Sequence, residues 1–96
     1  MSAKVTVYTT DYCPYCVRAK DLLKRKHVAF DEVNVETRDD LRSWLVSASG
    51  QRTVPQIFIN GASVGGFTEL AALDKKGLLD PMLAETAAPD APRLPA

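Results

Sequence analysis

The stretch that decides the fold is KVTVYTTDYCPYC, residues 4–16. Its first five residues, Lys4–Tyr8, alternate between apolar and polar side chains, as a half-buried strand does. The alternation ends before the cysteines, and Pro14 suits the first turn of a helix because its missing N–H would have no partner there. From Pro14 to about His27 the apolar residues Val17, Leu22 and Leu23 recur at helical spacing. The pattern predicts a strand followed by a helix that begins at the cysteines.

The chain after this helix repeats the alternation of strand and helix. A second strand is predicted in 28–35, and then a helix capped by Thr37 that ends at Gly50 and packs Leu41, Trp44 and Leu45 into the core. Asn60-Gly61 is a hairpin signal, so the strands on either side of it are antiparallel. The remaining predicted elements are strands at 56–60 and 62–64, a helix from Phe67 or Thr68, and a final helical turn or two within 77–83.

This order of elements predicts an α/β fold in one domain, residues 1–85. A β-α-β unit, a helix, a β-hairpin and a helix together make a small four-stranded mixed sheet with helices on both faces. Residues 86–96 contain three prolines within seven residues and no apolar periodicity. We expect them to form a flexible tail.

Composition and charge exclude several classes of function. Twelve basic and twelve acidic residues give a formal net charge of zero, which favours neither nucleic acid nor an anionic membrane as a partner. No apolar run approaches the ~20 residues of a membrane span, and the first residues lack the apolar region of a secretory signal. We therefore expect a cytoplasmic protein, and a monomer because no surplus apolar stripe is evident.

The two cysteines, Cys13 and Cys16, carry the predicted chemistry. A thiol attacks only as thiolate, and a helix N-terminus lowers the pKa of a thiol through free N–H groups and the positive end of the helix dipole. Cys13 is therefore the predicted nucleophile, and Cys16, one turn into the helix and more enclosed, the predicted resolving thiol. A structural zinc site would need four protein ligands, and beyond this pair only His27 is at hand, at the far end of the helix. No metal is predicted.

Two further elements accompany the cysteines. Thr53-Val54-Pro55 precedes an apolar strand, where proline either begins the strand or forms a cis bond that turns the Val54 backbone toward an extended ligand. Gly65-Gly66 precedes a helix, and is either a turn or a place where free N–H groups accept a carboxylate. The sequence leaves both pairs of alternatives open.

Taken together and in this order, CPYC at 13–16, TVPQIFI at 53–59 and Gly65-Gly66 before an acid and Leu70 strongly resemble the dithiol glutaredoxins over residues 4–84. The resemblance implies a thioredoxin-like fold, glutathione as cofactor, and reduction of protein disulfides and protein–glutathione mixed disulfides. It implies that Cys13 holds the glutathionyl group and Cys16 resolves protein disulfides. The implied glutathione contacts come from Tyr15, Thr53, Val54, Pro55, Gly66 and Thr68, with Phe67 over the edge of the site.

Two positions depart from the family pattern. Thr10 stands where the family often has a lysine, and Thr68 where it often has an aspartate. A lysine would help to hold the thiolate and a carboxylate of the ligand, so the charge must come from elsewhere. Arg52 is the candidate cation, with Arg18 and Lys20 as further possibilities.

Two other functions are compatible with the motifs. Some glutaredoxins carry an iron–sulfur cluster between two chains, held by the first cysteine and glutathione, although Pro14 is associated with the redox members. A thioredoxin-like reductant served by a flavoenzyme is the other possibility, and it is favoured if Thr10 and Thr68 have removed the glutathione site.

Overall fold

The computed structural model describes residues 3–85 together with 94 and 95. Along this part of the chain the elements are β1 Val5–Thr9, α1 Pro14–Arg25, β2 Phe30–Asn34, α2 Asp39–Ser49, β3 Gln56–Ile59, β4 Ala62–Gly65, α3 Phe67–Lys75 and α4 Leu79–Ala84. The predicted flexible tail falls mostly outside the described residues. No helix among the residues described here is both long and apolar enough to cross a membrane.

The four strands form one mixed sheet in the order β2-β1-β3-β4. β1 runs parallel to β2 and antiparallel to β3, and the β3–β4 hairpin turns at Asn60 and Gly61. The sheet therefore has a parallel half, which needs the α1 crossover, and an antiparallel half, which needs only a tight turn. This is the fold class that the order of elements predicted.

Side chains alternate along the strands and divide the core into two clusters. On one face, Val5 and Val7 of β1 pack with Leu23 of α1, Leu70 of α3 and Leu79 of α4. On the other face, a second cluster is built around α2 from Tyr8, Val35, Leu41, Leu45 and Phe58. The period of two in β1 thus places helices on both faces of the sheet.

Two details of the helices differ from the sequence prediction. Thr37 does not cap α2: the Arg38 N–H donates to Val35 O at 3.1 Å, which closes a turn over residues 35–38, and the helix begins one residue later at Asp39 without a side-chain cap. Val17 is 52% exposed, and Ala19 is buried instead. Val17 lies about 100° around the helix from the buried Cys16, on the solvent side.

Candidate functional site

Cys13 is the N-cap residue of α1. Its backbone is extended, and its Sγ accepts a hydrogen bond from the Cys16 N–H at 3.1 Å, while the Val17 N–H donates to Cys13 O. Pro14 occupies the first helical position, as predicted. A sulfur at this place receives a backbone donor and faces the positive end of the helix dipole, and both stabilise negative charge on it.

The two cysteines are joined as a disulfide, with Cα atoms 5.1 Å apart. Cys16 is only 2% exposed, whereas Cys13 is partly exposed and stands beside the exposed ring of Tyr15. An external disulfide can therefore approach Cys13 and not Cys16. Cys13 as nucleophile and Cys16 as resolving thiol stay predictions.

The loop before β3 brings a backbone carbonyl to the dithiol. The Val54–Pro55 peptide bond is cis, and Val54 O lies 3.8 Å from Cys13 Sγ. The fully buried Gln56 holds this loop: its Nε2 donates to Thr53 O at 2.8 Å and to Gln51 Oε1 at 2.9 Å. Its own Oε1 has no partner within the described part of the chain. Gln56 thus fixes the backbone that precedes Pro55.

The turn from β4 to α3 forms the other side of the site. Gly66 is the N-cap residue of α3, and its N–H donates to Glu69 Oε1 at 2.7 Å. The predicted free N–H of Gly66 is therefore already used, and Thr68 is the second residue of the helix and not its cap. The N–H groups of Phe67 and Thr68 have no partner among the residues described, as expected for a first helical turn.

These elements enclose a cleft of about 380 Å³ next to the dithiol. It brings together seven of the eight predicted contact residues, which are Tyr15, Thr53, Val54, Pro55, Gly66, Phe67 and Thr68. Gln51 and Glu69 also line it, and sequence reasoning missed both. The sequence did contain a signal for Glu69. A glutamate three residues after the N-cap residue of a helix often accepts a hydrogen bond from the N–H of that N-cap residue, and Glu69 stands three residues after Gly66.

Arg52, the eighth predicted residue, does not line this cleft. It is exposed and borders a small cavity of about 30 Å³ on the side of α2. Lys20 is engaged elsewhere, with its Nζ 2.9 Å from Glu32 Oε2, and this contact lowers the pKa of Glu32. Arg18 lies with its guanidinium carbon 5.3 Å from the centre of the Tyr15 ring. Of the three candidate cations, Arg18 is therefore the one that contacts a side chain of the cleft.

A larger and more open depression, about 700 Å³, lies between α1 and Phe67. Charged side chains of α1 line it: Arg18, Asp21, Lys24 and Arg25. We assign the site to the cleft of about 380 Å³, because Val54, whose carbonyl approaches the Cys13 sulfur, lines that cleft and does not line the larger depression.

The fold and the dithiol together define a thioredoxin-like protein with a redox-active cysteine pair. A family model described as Glutaredoxin matches residues 5–64. A glutaredoxin from Pseudomonas aeruginosa is 48% identical over 79 residues, which are 82% of this chain and 94% of that protein. Glutaredoxin 3 from Escherichia coli is 47% identical over 81 residues, 84% and 98% of the two chains.

Solved structures agree with these relatives. A buckwheat glutaredoxin–glutathione complex superposes with a TM-score of 0.80 at 31% identity, covering 84% of this chain and 76% of that chain. The solution structure of a Brucella melitensis glutaredoxin superposes with a TM-score of 0.79 at 43% identity, covering 86% of this chain and 90% of that chain. The chain belongs to the glutaredoxin family, and its dithiol makes it a thiol–disulfide oxidoreductase.

Proposed function

We propose that this protein uses glutathione to reduce protein disulfides and protein–glutathione mixed disulfides, as a monomer in the cytoplasm. The observation that carries the proposal is the position of Cys13: a partly exposed sulfur at a helix N-terminus, 3.8 Å from the Val54 carbonyl that borders the cleft. A glutathionyl group on this sulfur would have the cleft directly beside it. The buckwheat relative, solved as a glutathione complex, supports the same ligand for this chain.

The single-thiol route needs only Cys13. Its thiolate attacks the glutathione sulfur of a mixed disulfide, so that a Cys13–glutathione disulfide forms and the client leaves as thiolate, which takes a proton from solvent. A second glutathione thiolate then attacks the glutathione sulfur held on Cys13. Oxidised glutathione leaves, and the Cys13 thiolate is restored.

The two-thiol route also uses Cys16. Cys13 attacks a client disulfide and forms a mixed disulfide, after which the Cys16 thiolate attacks Cys13 Sγ and releases the reduced client. The product is the Cys13–Cys16 disulfide that is present in this structure. Two glutathione molecules then reduce it and leave as oxidised glutathione. The burial of Cys16 restricts it to the second step.

The cleft offers a place for each part of glutathione. The Val54 backbone would pair with the backbone of the ligand's cysteine, in the manner of strand addition. The proposal is supported by Thr53, Val54 and Pro55 lining the cleft together. Tyr15 and Phe67, with ring centres 6.2 Å apart, flank the ligand.

The start of α3 suits the γ-glutamyl end of the ligand. The N–H groups of Phe67 and Thr68 can donate to its carboxylate, with the Thr68 hydroxyl beside them. Glu69 supplies an acid in the cleft for the ligand's ammonium group, which compensates for the threonine at position 68. The Gly66 N–H is held by Glu69, so it does not serve as a donor to the ligand. Gly66 instead lets the ligand approach its backbone closely, because it has no side chain.

Carboxylate recognition at the glycine end of glutathione requires a cation. Arg52 remains a candidate because it neighbours the Thr53–Pro55 element in sequence, and Arg18 is a second candidate because it stacks on Tyr15. Replacement of each arginine by methionine separates the two. The substitution that raises the KM for the glutathionylated substrate more identifies the cation.

The test is glutathione-dependent reduction of a glutathionylated peptide by the parent, Cys13→Ser and Cys16→Ser. The proposal predicts no turnover in Cys13→Ser and retained turnover in Cys16→Ser, because the single-thiol route does not use Cys16. A parent that is inactive with glutathione but accepts electrons from a thioredoxin reductase would contradict the proposal. A visible absorption band after anaerobic purification would indicate an iron–sulfur carrier instead.

A further inference from the structure

The described residues near the C-terminus, Leu94 and Pro95, contact an aromatic cluster on the α2 face of the sheet. The aromatic cluster consists of Tyr8, Trp44 and Phe58, whose ring centres lie 5.4–5.6 Å apart. Leu94 packs against the core around this cluster, and the Tyr8 hydroxyl donates to Pro95 O at 2.6 Å. The contact is therefore both apolar and polar, and it joins residues 87 positions apart.

The hydrogen bond gives this contact its specificity. Tyr8 is fully buried, and a buried hydroxyl without a partner is costly, so its donor must be satisfied. Pro95 O is its only protein partner among the residues described. An apolar side chain alone could cover the aromatic cluster in many orientations, but only a chain that places a carbonyl over Tyr8 also satisfies the hydroxyl.

The core cluster that Leu94 packs against also contacts the loop before β3. Val54 packs against the core around Tyr8 and Phe58 with its side chain, as Leu94 does, and its carbonyl lies 3.8 Å from Cys13 Sγ. Val54 and Trp44 are both only partly buried. Leu94 therefore covers the same buried core cluster that supports the side chain of Val54, so its packing there can restrict the movement of the loop that presents Val54.

We propose that Leu94 and Pro95 are positioning residues for Val54, and that their contact with the aromatic cluster sets the affinity of the cleft for the glutathionylated substrate. This inference rests on the proposed function, because it concerns the same cleft. When Leu94 and Pro95 do not contact the aromatic cluster, Val54 samples additional positions, and the ligand binds only to the correct one. If that position is occupied a tenth to a third of the time, the apparent affinity falls by roughly three- to tenfold. Chemistry at Cys13 is unaffected, so kcat stays unchanged.

The test compares Leu94→Ser and a chain ending at residue 93 with the matched control Leu78→Ser. Leu78 is 52% exposed and belongs to neither core cluster among the described residues. The two readouts are the NMR resonances of the Val54 methyl groups and the KM and kcat for a glutathionylated peptide. We expect both changes at the C-terminus to shift the Val54 resonances and to raise KM three- to tenfold at constant kcat, and Leu78→Ser to do neither.

Tyr8→Phe is the milder variant if Leu94→Ser does not fold. It retains the ring and removes only the hydroxyl that donates to Pro95 O, and the same shift of Val54 is expected. Unchanged Val54 resonances in the chain ending at residue 93 would overturn the inference, as would an equal KM increase in Leu78→Ser. If the parent has no activity with glutathione, the proposed function fails, and the Val54 resonances alone decide whether the C-terminal residues position the loop.

Discussion

Replacing Gly65 with alanine tests how the turn into α3 is built. Gly65 has φ +115°, and an added Cβ would lie 2.6 Å from Glu69 Oε1 and 2.9 Å from Glu69 Cγ. Two costs follow. A non-glycine residue in such a conformation loses about 1–3 kcal/mol. Moving Glu69 aside breaks its 2.7 Å hydrogen bond with the Gly66 N–H, and a hydrogen bond to a charged group contributes about 1.5–3 kcal/mol.

The expected loss for Gly65→Ala is thus roughly 2.5–6 kcal/mol, a large part of the about 5–15 kcal/mol that stabilises a domain. Urea unfolding followed by far-UV circular dichroism measures it. The matched control is Gly77→Ala, because Gly77 has φ +75° and no atom within 4 Å of the added Cβ. That variant should lose only the cost of placing an L-residue in the left-handed conformation, about 1–2 kcal/mol.

A double-mutant cycle isolates the contact with the carboxylate. In a Glu69→Ala background the close approaches to Oε1 and Cγ are gone, and only the Glu69 Cβ remains, at 3.0 Å from the added atom. Gly65→Ala should therefore cost less in that background than in the parent. Equal losses for Gly65→Ala and Gly77→Ala in the parent would refute this explanation of the turn.

Three further predictions concern stability. Burial raises the pKa of Tyr8 from 10.0 to about 12. Its contribution to the free energy of unfolding is therefore present below pH 10 and is lost as the pH rises toward about 12. Tyr8→Phe should therefore show a smaller loss of unfolding free energy between pH 10 and 12. The pKa of Glu32 is lowered from 4.5, mainly by its hydrogen bond with Lys20, so its contribution is present above pH 4.5 and is lost as pH falls through the lowered pKa. Urea titrations across that range should show a smaller acid loss for Glu32→Gln, and an unchanged loss would contradict this assignment. Leu70→Ala should cost about 2–5 kcal/mol because the side chain is fully buried, and Leu78→Ala, at an exposed site, under about 1 kcal/mol in the same assay.

The sequence predicted those parts of the fold that depend on short-range pattern. The alternation in β1, the proline after Cys13 and the Asn60-Gly61 turn each act within a few residues, so their elements appear where expected. The packing of Trp44 with Leu41 and Leu45 followed from helical spacing in the same way. The start of α2 was predicted one residue too early. A turn closed by the hydrogen bond from Arg38 N–H to Val35 O lengthens the connection before the helix by one residue.

The site was predicted where its motifs carry a backbone requirement and missed where side chains meet across the fold. The position of Cys13 at the helix start follows from local chemistry, whereas the cis bond before Pro55 was one of two alternatives that the sequence left open. The placement of Gln51 in the cleft and of Arg52 beside it depends on how the loop before β3 turns. That turn is fixed by the buried Gln56 amide, a role that its neighbours in sequence do not reveal.

The central claim is that Cys13 is the sulfur that carries glutathione. The direct measurement treats reduced Cys16→Ser and reduced Cys13→Ser with oxidised glutathione and locates the added group by peptide mass spectrometry. We predict one glutathionyl group on Cys13 in Cys16→Ser and essentially none on Cys16 in Cys13→Ser, because the Cys16 sulfur is buried. Equal modification of the two cysteines, or no adduct on Cys13, would contradict the account.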